Sequence, residues 1–377
     1  MKARRWLWLA GMVLVLALAA GCGGSDDESS GGDGTTAASG KKDKVTLQLK
    51  WVTQAQFAGY YAAKEQGYYD DAGLDVTLKV GGPDITPEQV VTAGQAEFGI
   101  DWLPALLAAR DKGGDLVNIA QIFGKSGMLE ITHKDSGITD VAGMRGKKVG
   151  VWCCGNENEL YAALTKNGID LKNDVTIVNQ PFDMNLFLSK DIDAAAAMTY
   201  NELAQVLETK NPDTGELYQL SDLNVISMED AGTAMLEDGI FTRGDWIADP
   251  ANQEIAKRFL AASFRGWAFC RDNQDECLQN VLDNGPTLGE GHQRWQLNEI
   301  NALIWPSPSG IGVMDPTAFD RTAGIAQQFK VIKKAATNDA YRTDLAEAAI
   351  TTLKDDNVDV NGNDWKKETV EVTAGGA

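Results

Sequence analysis

Side chains able to carry covalent or metal chemistry are few in this chain and poorly spaced for it. His133 and His292 are its only histidines, and neither has a second ligand at metal-binding spacing. Among the five cysteines there is no C-x-x-C pair, and the chain contains no G-x-S-x-G elbow and no phosphate loop. Its 54 acidic residues single out no acid–base pair. No catalytic residue, metal or cofactor is expected, and the chain is not expected to be an enzyme. What it does offer is aromatic and amide side chains gathered after apolar runs. Trp51, Gln56 and Tyr60 follow the first such run, and Asp101-Trp102 follow another. Trp152 and Asn156 follow a later one, and Tyr200 and Glu202 follow the small residues 194–198. Aromatic faces hold a planar ring by stacking, while carboxylates and amides read its polar edge. These nine residues are the expected ligand contacts.

Each has a structural alternative. Trp51 and Trp102 also suit packing. Tyr60 and Tyr61 sit about 100° apart on a helix, which sends one to the core and the other to a cleft or solvent. Asn156 suits a helix cap, and Glu202 suits a first-turn carboxylate favoured by the helix dipole. Their shared placement at strand ends is the stronger argument.

The elements that must position them alternate. Residues 45–49, 74–80, 97–100 and 116–123 read as strands, separated by helices over 57–66, from Pro87, and over 102–112. The pattern repeats with strands at 147–152, 175–178 and 194–198 and helices at 156–167, 184–188 and 201–209. From Asp245 onward the chain becomes mostly helical. This implies α/β architecture with mostly parallel sheets, whose strand ends share one rim. About 330 residues exceed one comfortable core, so two lobes are expected. Lobe 1 takes 45–134 and 236–355, lobe 2 takes 135–235, and 356–377 form a C-terminal tail. The crossings fall near 134–139 and 228–239.

Residues 1–21 have a basic head and a fifteen-residue apolar run, the pattern of a secretory signal peptide. Residues 22–44 form a tether, and 23–40 contain six Gly, four Ser and four acids with no large apolar residue. The formal charge is −20, and without the three basic residues of the signal it is about −23. Such a charge argues against nucleic acid as partner. Outside the cytoplasm disulfides are permitted. Cys270 and Cys277 lie about 10 Å apart along one continuous helix, too far to bridge. They come within reach only if Arg271-Asp272-Asn273-Gln274 breaks it. Cys153 and Cys154 are expected to be small buried thiols.

The signal ending in Cys22, the tether, and the run from Lys50-Trp51 through Gln54-Ala55-Gln56-Phe57-Ala58-Gly59-Tyr60-Tyr61 resemble the solute-binding lipoproteins of ABC importers. Gly94-Gln95-Ala96-Glu97-Phe98-Gly99-Ile100, Gly143 to Gly150 and Met198-Thr199-Tyr200-Asn201-Glu202 extend the likeness. More narrowly, the chain is similar to the thiamine-pyrimidine (NMT1/THI5-like) and nitrate/sulfonate/taurine-binding branch. The resemblance implies a type II periplasmic-binding fold of two α/β lobes closing over a ligand, with Trp51, Asp101, Asn156 and Glu202 as contacts. It also implies lipidation of Cys22 and a location on the extracytoplasmic face of the cell membrane. The partner is an ABC permease, the receptor a monomer, and the solute a thiamine pyrimidine or riboflavin-like ring. Synthases of this branch carry a Cys-rich motif and an active His. Here Trp152-Cys153-Cys154-Gly155 only partly echoes that motif, and no His is expected near the cleft loops. Sulfonate, taurine and nitrate rank second as ligands, because Asp101, Glu157 and Glu202 would face an anion.

Overall fold

The described residues build ten strands: β1 (Asp43–Gln48), β2 (Leu74–Lys79), β3 (Phe98–Trp102), β4 (Leu116–Gln121), β5 (Met128–His133), β6 (Lys148–Val151), β7 (Thr176–Asn179), β8 (Ala194–Met198), β9 (Leu223–Ser227) and β10 (Asp238–Arg243). The structure is a computed structural model describing residues 41–377 except Cys154. The signal, Cys22 and most of the tether lie outside the described residues. So does the expectation for Cys154.

The strands form two five-stranded sheets, ordered β2-β1-β3-β10-β4 and β7-β6-β8-β5-β9. The two orders are the same pattern. In each sheet four strands share a direction and one opposes its neighbours, β10 in the first and β5 in the second. The opposing strand is always the one delivered by a chain crossing, since β5 follows β4 out of the first sheet and β10 follows β9 out of the second. The α/β architecture expected from the alternating pattern is present.

The crossings differ in part from expectation. Strand β5 pairs with β8 and β9, so residues 128–133 belong to the second sheet. The first crossing therefore runs through 122–127 and not near 134–139. Met-Leu-Glu-Ile-Thr-His is buried throughout, although Leu129-Glu130-Ile131-Thr132 alternates apolar and polar as a half-exposed strand would. Residues 356–377 are not a loose tail. Val360 is in the core, Asn298 and Glu368 exchange hydrogen bonds of 2.9 and 3.0 Å, and the Gly375 N–H donates to the Glu208 carbonyl at 2.9 Å.

Helix Ala58–Glu65 is buried from Ala58 to Ala63. It crosses helix Pro250–Asp272 at very close range. A Cβ on Gly266 would stand 2.0 Å from the Gly59 carbonyl, and one on Gly59 would stand 2.2 Å from the Trp267 ring. Glycine at both positions is what lets the backbones touch. The long helix ends at Asn273 (φ −135°, ψ 62°), and a second helix, Gln274–Asn284, leaves at a new angle. That break brings the Cα atoms of Cys270 and Cys277 to 5.0 Å, and the two form a disulfide. Cys153 is also disulfide-bonded and is exposed, so the buried-thiol expectation fails there.

Candidate ligand cavity

The strand ends of both sheets open onto one cavity of about 1160 Å³, lined by Lys50, Trp51, Glu88, Asp101, Trp152, Asn156 and Phe182 among others. Behind it lies a recess of about 50 Å³ lined by Lys50, Trp51, Gln54, Gln56, Trp102, Trp152, Asn156, Phe182, Met198, Tyr200, Asn201 and Glu202. Of the nine residues expected to contact ligand, eight line one or both. Tyr60 does not. It is 1% exposed and packs edge-on against Trp267 with ring centroids 5.6 Å apart. The helix it sits on is buried on every side, so Tyr61 also turns inward, where its hydroxyl lies 3.2 Å from Thr53 Oγ1.

The first-sheet wall is charged and internally bonded. Lys50 follows β1 and Asp101 ends β3; the ammonium donates to Asp101 Oδ1, which also accepts the Trp102 N–H at 2.7 Å. The same ammonium sits 4.9 Å over the Trp102 ring, a cation–π contact. Burial works against the Lys50 charge, but Asp101, with Asp238 and Glu88 behind it, holds the ammonium above its usual range. Burial and then Asp101 push Glu88 up to about 8. Burial raises Asp238 to about 7 against the pull of Lys50 and Gln56. An amide chain completes this wall: Gln54 Nε2 donates to Gln56 Oε1 at 2.6 Å, and Gln56 Nε2 donates to Asp238 Oδ2 at 2.9 Å.

The second-sheet wall is aromatic, with Glu202 as the one carboxylate of the recess and Glu157 lining the larger cavity. Trp152 follows β6 and donates from Nε1 to the Pro181 carbonyl at 3.2 Å. Asn156 lies in the loop after β6 and turns its amide onto the Cys153 carbonyl at 3.0 Å. Tyr200 follows β8 and is buried. Glu202 opens the next helix, Glu202–Leu207. Its oxygens accept the Met198 N–H at 3.0 Å and Asn201 Nδ2 at 2.6 Å. Burial raises Glu202 to about 7, against the Met198 and Glu202 backbone N–H groups, the Asn201 amide and the nearby His292. At the mouth Phe182 meets Trp51 edge to face, centroids 4.5 Å apart.

Lys50, Glu88, Asp238 and Phe182 were not among the expected contacts. Lys50 and Phe182 lie two and three residues beyond β1 and β7, so the strand-end rule that selected Trp51 and Trp152 would have reached both. Asp238 opens β10, a strand the alternation did not reveal. Neither was a histidine expected near the cleft, yet His292 Nε2 lies 2.9 Å from Asn201 Oδ1. His133 is buried and stacks on Phe187 at 4.2 Å.

A family model described as NMT1/THI5 like matches residues 54–277. The chain belongs to the NMT1/THI5-like family. Among its relatives, the riboflavin-binding protein RibY of Chloroflexus aurantiacus is 24% identical over 313 residues, 78% of this chain and 85% of that one. The 4-amino-5-hydroxymethyl-2-methylpyrimidine phosphate synthase of Aspergillus parasiticus is 21% identical over 250 residues, 66% of this chain and 72% of that one. A solved structure of a putative periplasmic sulfonate-binding protein, SsuA from Methylobacillus flagellatus, superposes with a TM-score of 0.61. It has 15% identity and covers 88% of this chain and 99% of its own. The last likeness shows the fold, that of periplasmic solute-binding proteins. Among the described residues no helix is long and apolar enough to cross a membrane.

Proposed function

We propose that this NMT1/THI5-like protein is an extracytoplasmic receptor that captures a planar heteroaromatic vitamin or precursor, riboflavin-like or a thiamine pyrimidine, and hands it to an ABC permease. The observation that carries this reading is the aromatic lining shared by the cavity of about 1160 Å³ and the recess, which at about 50 Å³ admits only the edge of a ring. Trp51 and Trp102 from the strand ends of one sheet and Trp152 and Tyr200 from those of the other line the recess together with Glu202. Indole faces hold a flat ring from both sides, and a carboxylate already accepting two hydrogen bonds has lone pairs left for a ring N–H or amine. Because the two walls belong to different sheets, ligand contacts made by both favour the closed arrangement, which is how binding becomes a signal to the permease. The relative named as a riboflavin-binding protein supports the ligand class. A relative named as a synthase keeps enzymatic use of a pyrimidine as the competing class.

Anchoring through a lipid on Cys22, with the monomeric receptor held at the membrane, belongs to the same proposal. Cys22→Ser is expected to release the protein from the membrane fraction.

The test is a thermal-shift series on the purified chain with riboflavin, a formylated aminopyrimidine, thiamine, taurine and nitrate at equal concentration. A ligand at 100 times its Kd adds about 2.7 kcal/mol, a shift of a few degrees. Stabilisation by a ring compound alone is the expected result. A response confined to taurine or nitrate would replace this reading with an anion receptor, in which Lys50 is the group that meets the ligand. Conversion of a bound pyrimidine would return the enzyme class.

A further inference from the structure

Helix Glu290–Ile304 lies behind both walls of the recess. On one side Gln293 Oε1 accepts the Ala55 N–H at 2.7 Å and Gln296 Oε1 accepts the Gln56 N–H at 3.2 Å. On the other, Trp295 Nε1 donates to the Thr199 carbonyl at 2.9 Å. One turn earlier His292 stands between Asn201 and Glu208. Its Nε2 is 2.9 Å from Asn201 Oδ1, and its Nδ1 is 2.9 and 3.1 Å from the two Glu208 oxygens. The C-terminal turn covers this pair: a Cβ on Gly376 would stand 2.7 Å from His292 Cβ and 2.9 Å from Glu208 Oε2.

The donors and acceptors in this line have only one consistent arrangement when Glu202 is ionised. The Met198 N–H and the Asn201 amide nitrogen both donate to Glu202, so both carboxylate oxygens act as acceptors. With its nitrogen turned to Glu202, Asn201 presents Oδ1 to His292, and Nε2 must carry the proton that satisfies it. Nδ1 then shares a proton with Glu208. Without the Nε2 proton the amide is free to turn over. Its oxygen would then face Glu202, and only a protonated carboxyl group could meet it. Burial already favours that neutral form.

We propose that His292 is a positioning residue that sets the hydrogen-bond sense of the Glu202 edge, and so makes the recess select rings presenting an N–H donor over the same ring presenting an acceptor there. The proposal rests on the heteroaromatic reading above. His292 does not line the recess; it acts through Asn201. Its control reaches the carboxylate from a helix that also holds the opposite wall, which couples edge chemistry to the placement of both walls.

The experiment uses two matched pairs of probes, riboflavin with 3-methylriboflavin and 4-amino-2-methylpyrimidine with its 4-methoxy counterpart. Wild type is expected to prefer the N–H member of at least one pair by about tenfold or more. His292→Ala brings that ratio close to one, and His292→Gln, which keeps a donor for Asn201, restores most of it. In a Glu202→Gln background His292→Ala changes the ratio no further. Equal loss for both members of a pair, or additive effects of the two substitutions, would overturn the proposal and leave His292 as packing.

A second measurement needs no ligand: a carbon-detected NMR titration of the Glu202 carboxyl group. His292→Ala is expected to raise its midpoint above wild type and His292→Gln to raise it less. Because His292 also acts on Glu202 directly, an equal rise in both variants, like an unchanged midpoint, overturns the relay. If no ring compound binds wild type, the heteroaromatic reading has failed, and the titration still decides what His292 does.

Discussion

The two walls of the recess solve the burial of charge in opposite ways. The first wall buries a cation together with its counter-ions, Lys50 against Asp101 with Asp238 and Glu88 close behind, and ties them to Trp102, Gln54 and Gln56. The second wall buries one carboxylate, Glu202, among aromatic rings and serves it with an N–H and an amide. A wall whose cation is already surrounded by its counter-ions has little left to offer a ligand except a shaped surface and the indole faces. A wall with one under-neutralised acceptor has a direction, and a ring with a donor edge answers it. On the proposed heteroaromatic reading, both walls offer aromatic faces and only the second adds an acceptor for the ring edge.

The largest expected effect breaks the first wall. With side chains 14% and 6% exposed, Lys50 and Asp101 form a largely buried pair. Removing one member of such a pair costs about 3–5 kcal/mol, because the other is left uncompensated. Lys50→Met should lose about that much in urea unfolding at pH 8. The loss should shrink towards pH 6, where Glu88 (about 8) and Asp238 (about 7) take up protons in the folded state and repel less. Folded pKa values raised above the unfolded ones mean the native state holds the protons, so stability falls as pH rises from the ordinary carboxylate range to about 8. A loss under about 1 kcal/mol at pH 8 would show that this wall is not held by its charges.

The second wall responds differently. Glu202→Gln should weaken a donor-edged ligand by about 2 kcal/mol, read by calorimetry, while unfolding stability changes little or improves. Unchanged affinity would remove Glu202 from the site. Glu130 provides the contrast within the same sheet. It is fully buried in β5, opposite Ala196 and Ile226, and neither carboxylate oxygen has a hydrogen-bond partner. Burial holds it well above the usual carboxylate range. Glu130→Met should therefore gain at least about 1 kcal/mol near pH 8, and the gain should fade as pH drops towards 4, where wild type is protonated in both states. A loss of stability would mean that Glu130 has a role its surroundings do not reveal.

The same contrast governs what was legible in the sequence. Parallel strands that end in a turn and feed a helix announce themselves by composition. That is why the ends of β1, β3, β6 and β8 could be marked, and why Trp51, Asp101, Trp152 and Glu202 were found. The opposing strands β5 and β10 announce little. β10 lacks alternation, β5 alternates only over Leu129 to Thr132, and the partners of both lie far along the chain. With β10 unseen, Asp238 could not be placed, and with β5 unseen the first crossing was put about ten residues late. Tyr60 failed for another reason. Its helix is buried from Ala58 to Ala63, and two glycines let helix Pro250–Asp272 settle directly on it. His292 was hidden by distance, since the residue it serves is 91 positions away.

The smallest effect concerns the mouth, where the two walls touch through Trp51 and Phe182. Phe182 is 44% exposed, so this contact buries little and contributes modestly to folding. The walls are joined more firmly at the back, where helix Glu290–Ile304 bonds Ala55 and Gln56 on one side and Thr199 and Asn201 on the other. If the back fixes the walls and the front only closes over the ring, Phe182→Ala should leave unfolding stability within about 1 kcal/mol of wild type and speed ligand release by about 2–10-fold, with little change in association. Stopped-flow dissociation against a trapped competitor reads this directly. Phe182→Leu should fall between the two, because it keeps apolar contact with the indole and loses the aromatic edge. A destabilisation of several kcal/mol would place the joint between the walls at the front, and the helix behind them would then be support for each wall separately.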